Sequence, residues 1–379
     1  VGVLCHPASV TADLTHIVDR LLQAGIRPVR LFGPEHGVRG EAQDMIGIAS
    51  ERDRRTGIPV SSLYGADFES LTPSAADLGE IDVLLIDLQD VGSRYYTYVW
   101  TMALALAAAA RAGVAAVVLD RPNPLGGLEV ESGPVLPGYE SFLGLASVAI
   151  RHGMTAGELA RMVCAGVPGG AASRFAAPLD CDLTVVAMKG WRRSMDFDDT
   201  GLPWVMPSPN MPTVDTAFVY PGLCLFEATN LSEGRGTTRP FEIVGAAFLD
   251  GDRLAEALSR CRLPGVRFRP LSFLPMFHKF ARQSCGGVQL HVTDRAAFRP
   301  YRTGIALLQA AREQAPQAFA WRTEPYEFVS HPLAIDLLTG SDAVRLAIDG
   351  GQSAEEISAT FVPFEREFAD RRRPFLLYG

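Results

Sequence analysis

Short apolar runs alternate with amphipathic stretches through the first half of the chain, and that alternation sets the expected fold. VGVLC reads as a strand. Ala12 to Ala24 then place Leu14, Ile17, Val18, Leu21 and Leu22 on one helical face and stop at Gly25, before PVRLF returns to strand. PVSSLY, IDVLLIDLQ and VAAVVLD continue the series, with a helix predicted from about Tyr98 to Ala112 between the last two. The near-continuous apolar character of these last two strands is that of parallel strands covered on both faces. MTAGELARMVCAG adds a helix with a capping box, Thr155 with Glu158, and Gly166 as its stop. Such a series predicts an α/β fold built on a doubly wound sheet.

The pattern changes at MPSPNMPT, Met206 to Thr213, whose three prolines remove donors and fix φ. This segment is expected to be a rigid extended loop, either a domain linker or a substrate-lining segment. Beyond Tyr220 the order is mixed: FEIVGAAFL and GGVQLHV as strands, with helices near Asp252 to Arg262, Tyr301 to Gln314 and Ala354 to Thr360. A length of 379 residues exceeds the ~250–300 at which single cores stop growing. Two domains are therefore expected: 1–217, carrying the doubly wound sheet, and 218–379, a smaller α+β domain.

Composition narrows the partners. A formal charge of −8, from 35 Lys and Arg against 43 Asp and Glu, opposes a nucleic-acid surface. No apolar run reaches transmembrane length, since the alanine-rich stretch from Met102 to Ala110 ends in Arg111 and Gly113. A small-molecule substrate is the expected partner, with neither nucleic acid nor membrane; oligomeric state is left open. The six cysteines show no CxxC and no zinc spacing, so buried free thiols and a reducing compartment such as the cytoplasm are expected. The chain starts at Val1 inside a strand, and native N-terminal sequence is expected to be missing, which keeps a periplasmic or secreted location open. GxGxxG after the first strand, GxxxxGK[ST], HExxH and GxSxG are all absent, and the histidines are dispersed. No cofactor and no metal is assigned.

Four segments carry candidate chemistry. LFGPEHGVRG, Leu31 to Gly40, puts Glu35, His36 and Arg39 on a loop punctuated by Gly33, Gly37 and Gly40 directly after a strand, where open α/β folds build active sites. DLQDVGSRYYTY brings Asp90 and Arg94 to the same sheet edge, with Asp87 behind them and Tyr95, Tyr96 and Tyr98 able either to stack on a sugar or to pack in the core. DRPNPLGG carries Asn123 and reads either as a preorganised binding loop or as a structural turn fed by an Asp120–Arg121 pairing. FEATNLSEGRGTTRPFE gathers Glu227, Asn230, Glu233, Arg235, Arg239 and Glu242; Arg235 or Arg239 is suited to a ligand carboxylate, against a solvated hairpin with internal ion pairs.

Taken together, PEHGVRG, SLYG, DLQDVGSRYYTY, DRPNPLGG, RHGMTAGELA, PSPNMPT, NLSEGRGTTRPFE and GVQLHVTD resemble, in content and order, the NamZ-like exo-β-N-acetylmuramidases, formerly a domain of unknown function. The resemblance runs from Val1 to the terminal FLLYG. It implies a Rossmann-like N-terminal domain, a smaller C-terminal domain and hydrolytic release of N-acetylmuramic acid from the non-reducing end of cell-wall fragments. Under it, Glu35 is the first choice for catalytic acid, with His36 and Arg39 orienting it or the substrate. Asp90 or Glu233 is the second carboxylate, unless the substrate's N-acetyl group replaces it. Arg39, Arg94, Tyr95, Asn123, Asn210, Asn230, Arg235 and Arg239 are the substrate-binding candidates. Two other readings stay open: a non-catalytic muropeptide-binding protein, and a metal-assisted hydrolase acting on another bond of muramyl substrates.

Overall fold

The computed structural model describes residues 1–39, 51–168 and 173–379. The first half builds one seven-stranded sheet from β1 (Gly2–Cys5), β2 (Arg30–Gly33), β3 (Glu51–Arg52), β4 (Pro59–Ser62), β5 (Val83–Asp87), β6 (Ala115–Leu119) and β7 (Leu183–Val186). Their spatial order is β3-β4-β2-β1-β5-β6-β7, and neighbours run parallel except at the edge, where β3 is antiparallel to β4. The order reverses at β1, with β2 and β4 on one side and β5 to β7 on the other. A Rossmann-like sheet opens its ligand crevice at the C-terminal strand ends of such a switch point. Glu35 leaves β2 and Asp90 follows β5, so both loops start at that edge.

Period-2 alternation explains why the strands read as apolar runs. Val3, Cys5 and Leu31 join a cluster closed by Val18, Leu21 and Leu22 of helix Ile17–Gln23. Leu4, Phe32, Leu84 and Ile86 face the opposite way, into the main core with helix Tyr98–Ala112. That helix stops where Gly113 adopts φ 67° and its N–H reaches the Ala109 and Ala110 carbonyls. The capping box of Thr155 and Glu158 heads helix Ala156–Ala165. The first helix is shorter than its apolar spacing predicts: Thr11 Oγ1 and the Thr15 N–H both bond Asp13 Oδ1, at 2.6 and 3.2 Å, and Leu14 takes φ 64°. Short polar side chains that bond nearby backbone compete with helix, and here they win over residues 12–16.

In the second half, β8 (Ile243–Ala246), β9 (Val266–Phe273) and β10 (Cys285–Val292) form an antiparallel sheet ordered β8-β10-β9, beside helices Gly251–Arg260 and Pro300–Gln314. Met206 to Thr213 contains no helix or strand and leads into helix Val214–Leu223, which spans position 217 and so straddles the expected domain division. This helix meets Pro300–Gln314 at backbone distance: a Cβ on Gly222 would lie 1.9 Å from the Pro300 carbonyl oxygen, and one on Gly304 would lie 2.2 Å from that of Gly222. Among the described residues, no helix is long and apolar enough to cross a membrane.

Candidate active site

The turn after β2 folds back on itself. The Gly37 N–H donates to the Pro34 carbonyl at 2.8 Å, and His36 and Gly37 adopt φ of 70° and 79°. A side chain on Gly33 would meet the Val38 backbone nitrogen at 3.0 Å, so the close return needs glycine there. Positive φ at His36 is strain of the kind found at functional sites. Glu35 and His36 are both 7% exposed; Gly40 lies outside the described residues. Thr97 Oγ1 donates to Glu35 Oε2 at 2.8 Å. Thr97 is also the N-cap residue of helix Tyr98–Ala112, yet it makes no side-chain capping bond, because its hydroxyl serves the carboxylate. The Tyr98 hydroxyl lies 3.3 Å from the Glu35 carbonyl and 2.7 Å from the Pro207 carbonyl, tying the turn, the helix and the proline-rich loop together.

Glu35 and His36 sit in a narrow cleft of about 40 Å³ walled by both halves of the chain. The first half contributes Thr97, Asn210 and the tyrosines at 95, 96 and 98, and the second contributes Tyr220, Glu227, Arg235, Tyr326 and Glu327. The tyrosines pack edge to face, with centroids 4.8 Å apart for Tyr96–Tyr98, 5.7 Å for Tyr95–Tyr220 and 5.8 Å for Tyr96–Tyr220. Burial pushes the phenols of Tyr95, Tyr96, Tyr98, Tyr220 and Tyr326 well up, so at neutral pH they keep their protons.

Across the cleft, Arg235 Nη2 donates to Glu227 Oε1 at 2.7 Å, and the Tyr326 hydroxyl donates to Glu227 Oε2. The Arg235 guanidinium also lies over the Phe241 ring, 5.2 Å from its centroid. The second-half glutamate at 327 accepts from the Tyr64 hydroxyl at 3.2 Å. Two roomier cavities lie elsewhere, of about 490 Å³ beside Asp87, Arg121 and Trp191 and about 540 Å³ beside Phe68, Arg174 and Phe328. The narrow cleft is the better candidate on chemistry, since only there do carboxylates, an imidazole, a guanidinium and phenols converge among the cavities described.

Of the residues expected to form the site, Glu35, His36, Tyr95, Asn210 and Arg235 line this cleft. The others are engaged elsewhere. Asp90 Oδ2 accepts from the Gly92 N–H at 2.7 Å and lies 3.5 Å from His152 Nε2, in the interior. Glu233 is buried behind Arg235, 2.9 Å from Lys279 Nζ and 3.1 Å from His278 Nδ1. Burial alone would raise its pKa, but the Lys279 ammonium, with His278 and Arg235, outweighs it and holds the carboxyl well below the usual range. Arg39 grips Asp53 with two bonds of 2.9 and 3.0 Å. Arg94 is fully buried, donating to the Val148 carbonyl at 3.0 Å and to the Leu338 carbonyl at 2.5 Å. Asn123 bonds the Met154 carbonyl and the Leu125 N–H, and Asn230 bonds the Ala318 carbonyl and the Ala320 N–H. Arg239 is half-exposed and pairs with Glu242. The Arg121 guanidinium pairs with Asp87, not with the Asp120 side chain, which accepts instead from Thr155, Gly157 and Tyr378. These polar groups brace the loops from inside through bonds to backbone or to opposite charges, although Asp90 Oδ1 and Arg94 Nε are buried without a hydrogen-bond partner of their own. Sequence reasoning gathered Glu227 into a charged cluster without selecting it and passed over Thr97, Tyr326 and Glu327. Among the described residues, no group of three His, Cys, Asp or Glu side chains is arranged to hold a metal ion.

The comparisons agree with this architecture. A family model described as exo-beta-N-acetylmuramidase NamZ, N-terminal, matches residues 1–215, and its C-terminal counterpart matches 218–378. The peptidoglycan beta-N-acetylmuramidase NamZ of Bacillus subtilis (strain 168) is 45% identical over 380 residues, spanning 100% of this chain and 86% of that protein. Two crystal structures of DUF1343 family proteins from Bacteroides fragilis NCTC 9343 superpose on it. The first has a TM-score of 0.86 and 33% identity, covering 100% of this chain and 94% of the other. The second has 0.76 and 29%, covering 100% and 93%.

Proposed function

The chain belongs to the NamZ family of exo-β-N-acetylmuramidases, and from that premise we propose that it hydrolyses the β-glycosidic bond of N-acetylmuramic acid at the non-reducing end of peptidoglycan fragments. The observation that carries the residue-level reading is the Glu35 carboxyl, buried in the shared cleft and aimed by Thr97 Oγ1. Glu35 protonates the departing glycosidic oxygen, and His36, fixed beside it by the left-handed turn, orients the reacting groups. The tyrosine walls offer apolar faces to a pyranose. Asn210, which also lines the cleft, bonds the acetamido group. Arg235 supplies the cationic donors for the lactyl carboxylate, the group that separates muramic acid from N-acetylglucosamine.

Digestion of the two isomeric disaccharides tests this reading. The disaccharide with muramic acid at the non-reducing end should release both free sugars, detected by mass spectrometry after chromatography. The one with N-acetylglucosamine at that end should stay intact. Cleavage of both at similar rates, or only of the second, would contradict the assignment.

A further inference from the structure

We propose that Glu227 is the second catalytic carboxylate, acting as the nucleophile opposite Glu35; this rests on the glycosidase reading above. Glu227 lines the same cleft as Glu35 from the other half of the chain and is 8% exposed. Both of its oxygens are held by donors that themselves line the cleft, Oε1 by Arg235 and Oε2 by Tyr326. Tyr326 is in turn fixed by the Arg322 guanidinium, 4.9 Å from its ring centroid. Asp90 and Glu233 are bound in the interior, and Glu327, which also lines the cleft, accepts from Tyr64 outside the lining.

Donors on both oxygens fix the carboxylate plane, which a nucleophile needs for in-line approach to the anomeric carbon. The arrangement therefore favours a two-step displacement with net retention. In the first step a Glu227 oxygen bonds to the anomeric carbon as its bond to the leaving sugar breaks, and the leaving oxygen takes the Glu35 proton. In the second, the Glu35 carboxylate removes a proton from water, the water oxygen bonds to the anomeric carbon, and Glu227 departs as carboxylate.

The test combines product stereochemistry with trapping. Nuclear magnetic resonance of fresh product from p-nitrophenyl β-N-acetylmuramide should show the β-anomer first. A 5-fluoro glycosyl fluoride of N-acetylmuramic acid should add one sugar to the wild-type protein, mapped by peptide mass spectrometry to Glu227. Glu227→Ala should lose turnover by a factor on the order of 10⁴, and azide should restore it with formation of the α-glycosyl azide. If that variant fails to fold, the wild-type label still decides. Inversion, a label on Tyr326 or Glu327, or retention with no label together with tight inhibition by the muramic thiazoline would each overturn the proposal. Absence of wild-type turnover on any muramide would instead strike the parent reading of function.

Discussion

Replacing Glu233 by Gln separates scaffold from chemistry in the NLSEGRG segment. Glu233 is fully buried with Lys279 Nζ at 2.9 Å, His278 Nδ1 at 3.1 Å and Arg235 Nε at 3.4 Å. Glutamine leaves the Lys279 and Arg235 charges without their shared anion. Removing one partner of a buried ion pair costs about 3–5 kcal/mol, or about 6–20 °C in melting temperature for a unit of 150–250 residues. Lys279 keeps the Phe226 and Leu231 carbonyls, at 2.8 and 3.0 Å, so the lower half of that range is expected. The folded-state pKa of Glu233 is depressed below its ordinary 4.5. Its stabilisation is therefore complete above that value and is lost as pH falls through the folded value. The gap in melting temperature between wild type and variant should stay constant from neutral pH down to about 5.5 and close in stronger acid. Scanning calorimetry across this range, beside turnover of an aryl muramide below the transition, reads both effects. Turnover should fall by about tenfold or less, the equivalent of ~1.4 kcal/mol from a displaced Arg235. An unchanged melting temperature with turnover reduced by about 10³-fold or more would refute the scaffold reading and make Glu233 a catalytic group.

Arg235→Lys should weaken kcat/KM for a muramide more than for the matching N-acetylglucosaminide, and equal losses in steady-state kinetics would remove Arg235 as reader of the lactyl group. Thr97→Val deletes the 2.8 Å bond to Glu35, so kcat should fall by about 10- to 150-fold, matching ~1.5–3 kcal/mol, with the fold intact by circular dichroism; unchanged kcat would mean that Thr97 does not aim the acid. Gly304→Ala puts a methyl 2.2 Å from the Gly222 carbonyl oxygen and should cost about 1–3 kcal/mol or more in denaturant unfolding, whereas an unchanged midpoint would contradict the close helix crossing.

The sheet was legible because β1, β2, β5 and β6 carry apolar side chains on both faces, and the helix Tyr98–Ala112 because apolar character and a terminal glycine coincide. β9 was not, since Arg267, Arg269 and Pro270 sit in a strand whose outer face is solvated, and nothing in its composition marks it as paired with β10. Glu35 stood out because glycines and a strand end surround it. Arg94, Asp90 and Asn123 stood beside the same edge in sequence, but a loop's polar residues are spent either on ligand or on the loop itself. Only the folded hydrogen bonds distinguish the two. Glu227 and Tyr326 meet across 99 positions of chain, a pairing that no local spacing encodes.

The most direct test of the central claim compares sugar release from the muramide and glucosaminide disaccharides, whose sugar leaving groups need a proton, by wild type and Glu35→Gln, each with and without chelator. The account predicts wild-type turnover of the muramide, far above that of the glucosaminide, unchanged by chelator and lost in Glu35→Gln by about 10²- to 10⁴-fold while ligand binding persists. Full activity in Glu35→Gln, or loss of wild-type activity to chelator, would contradict it.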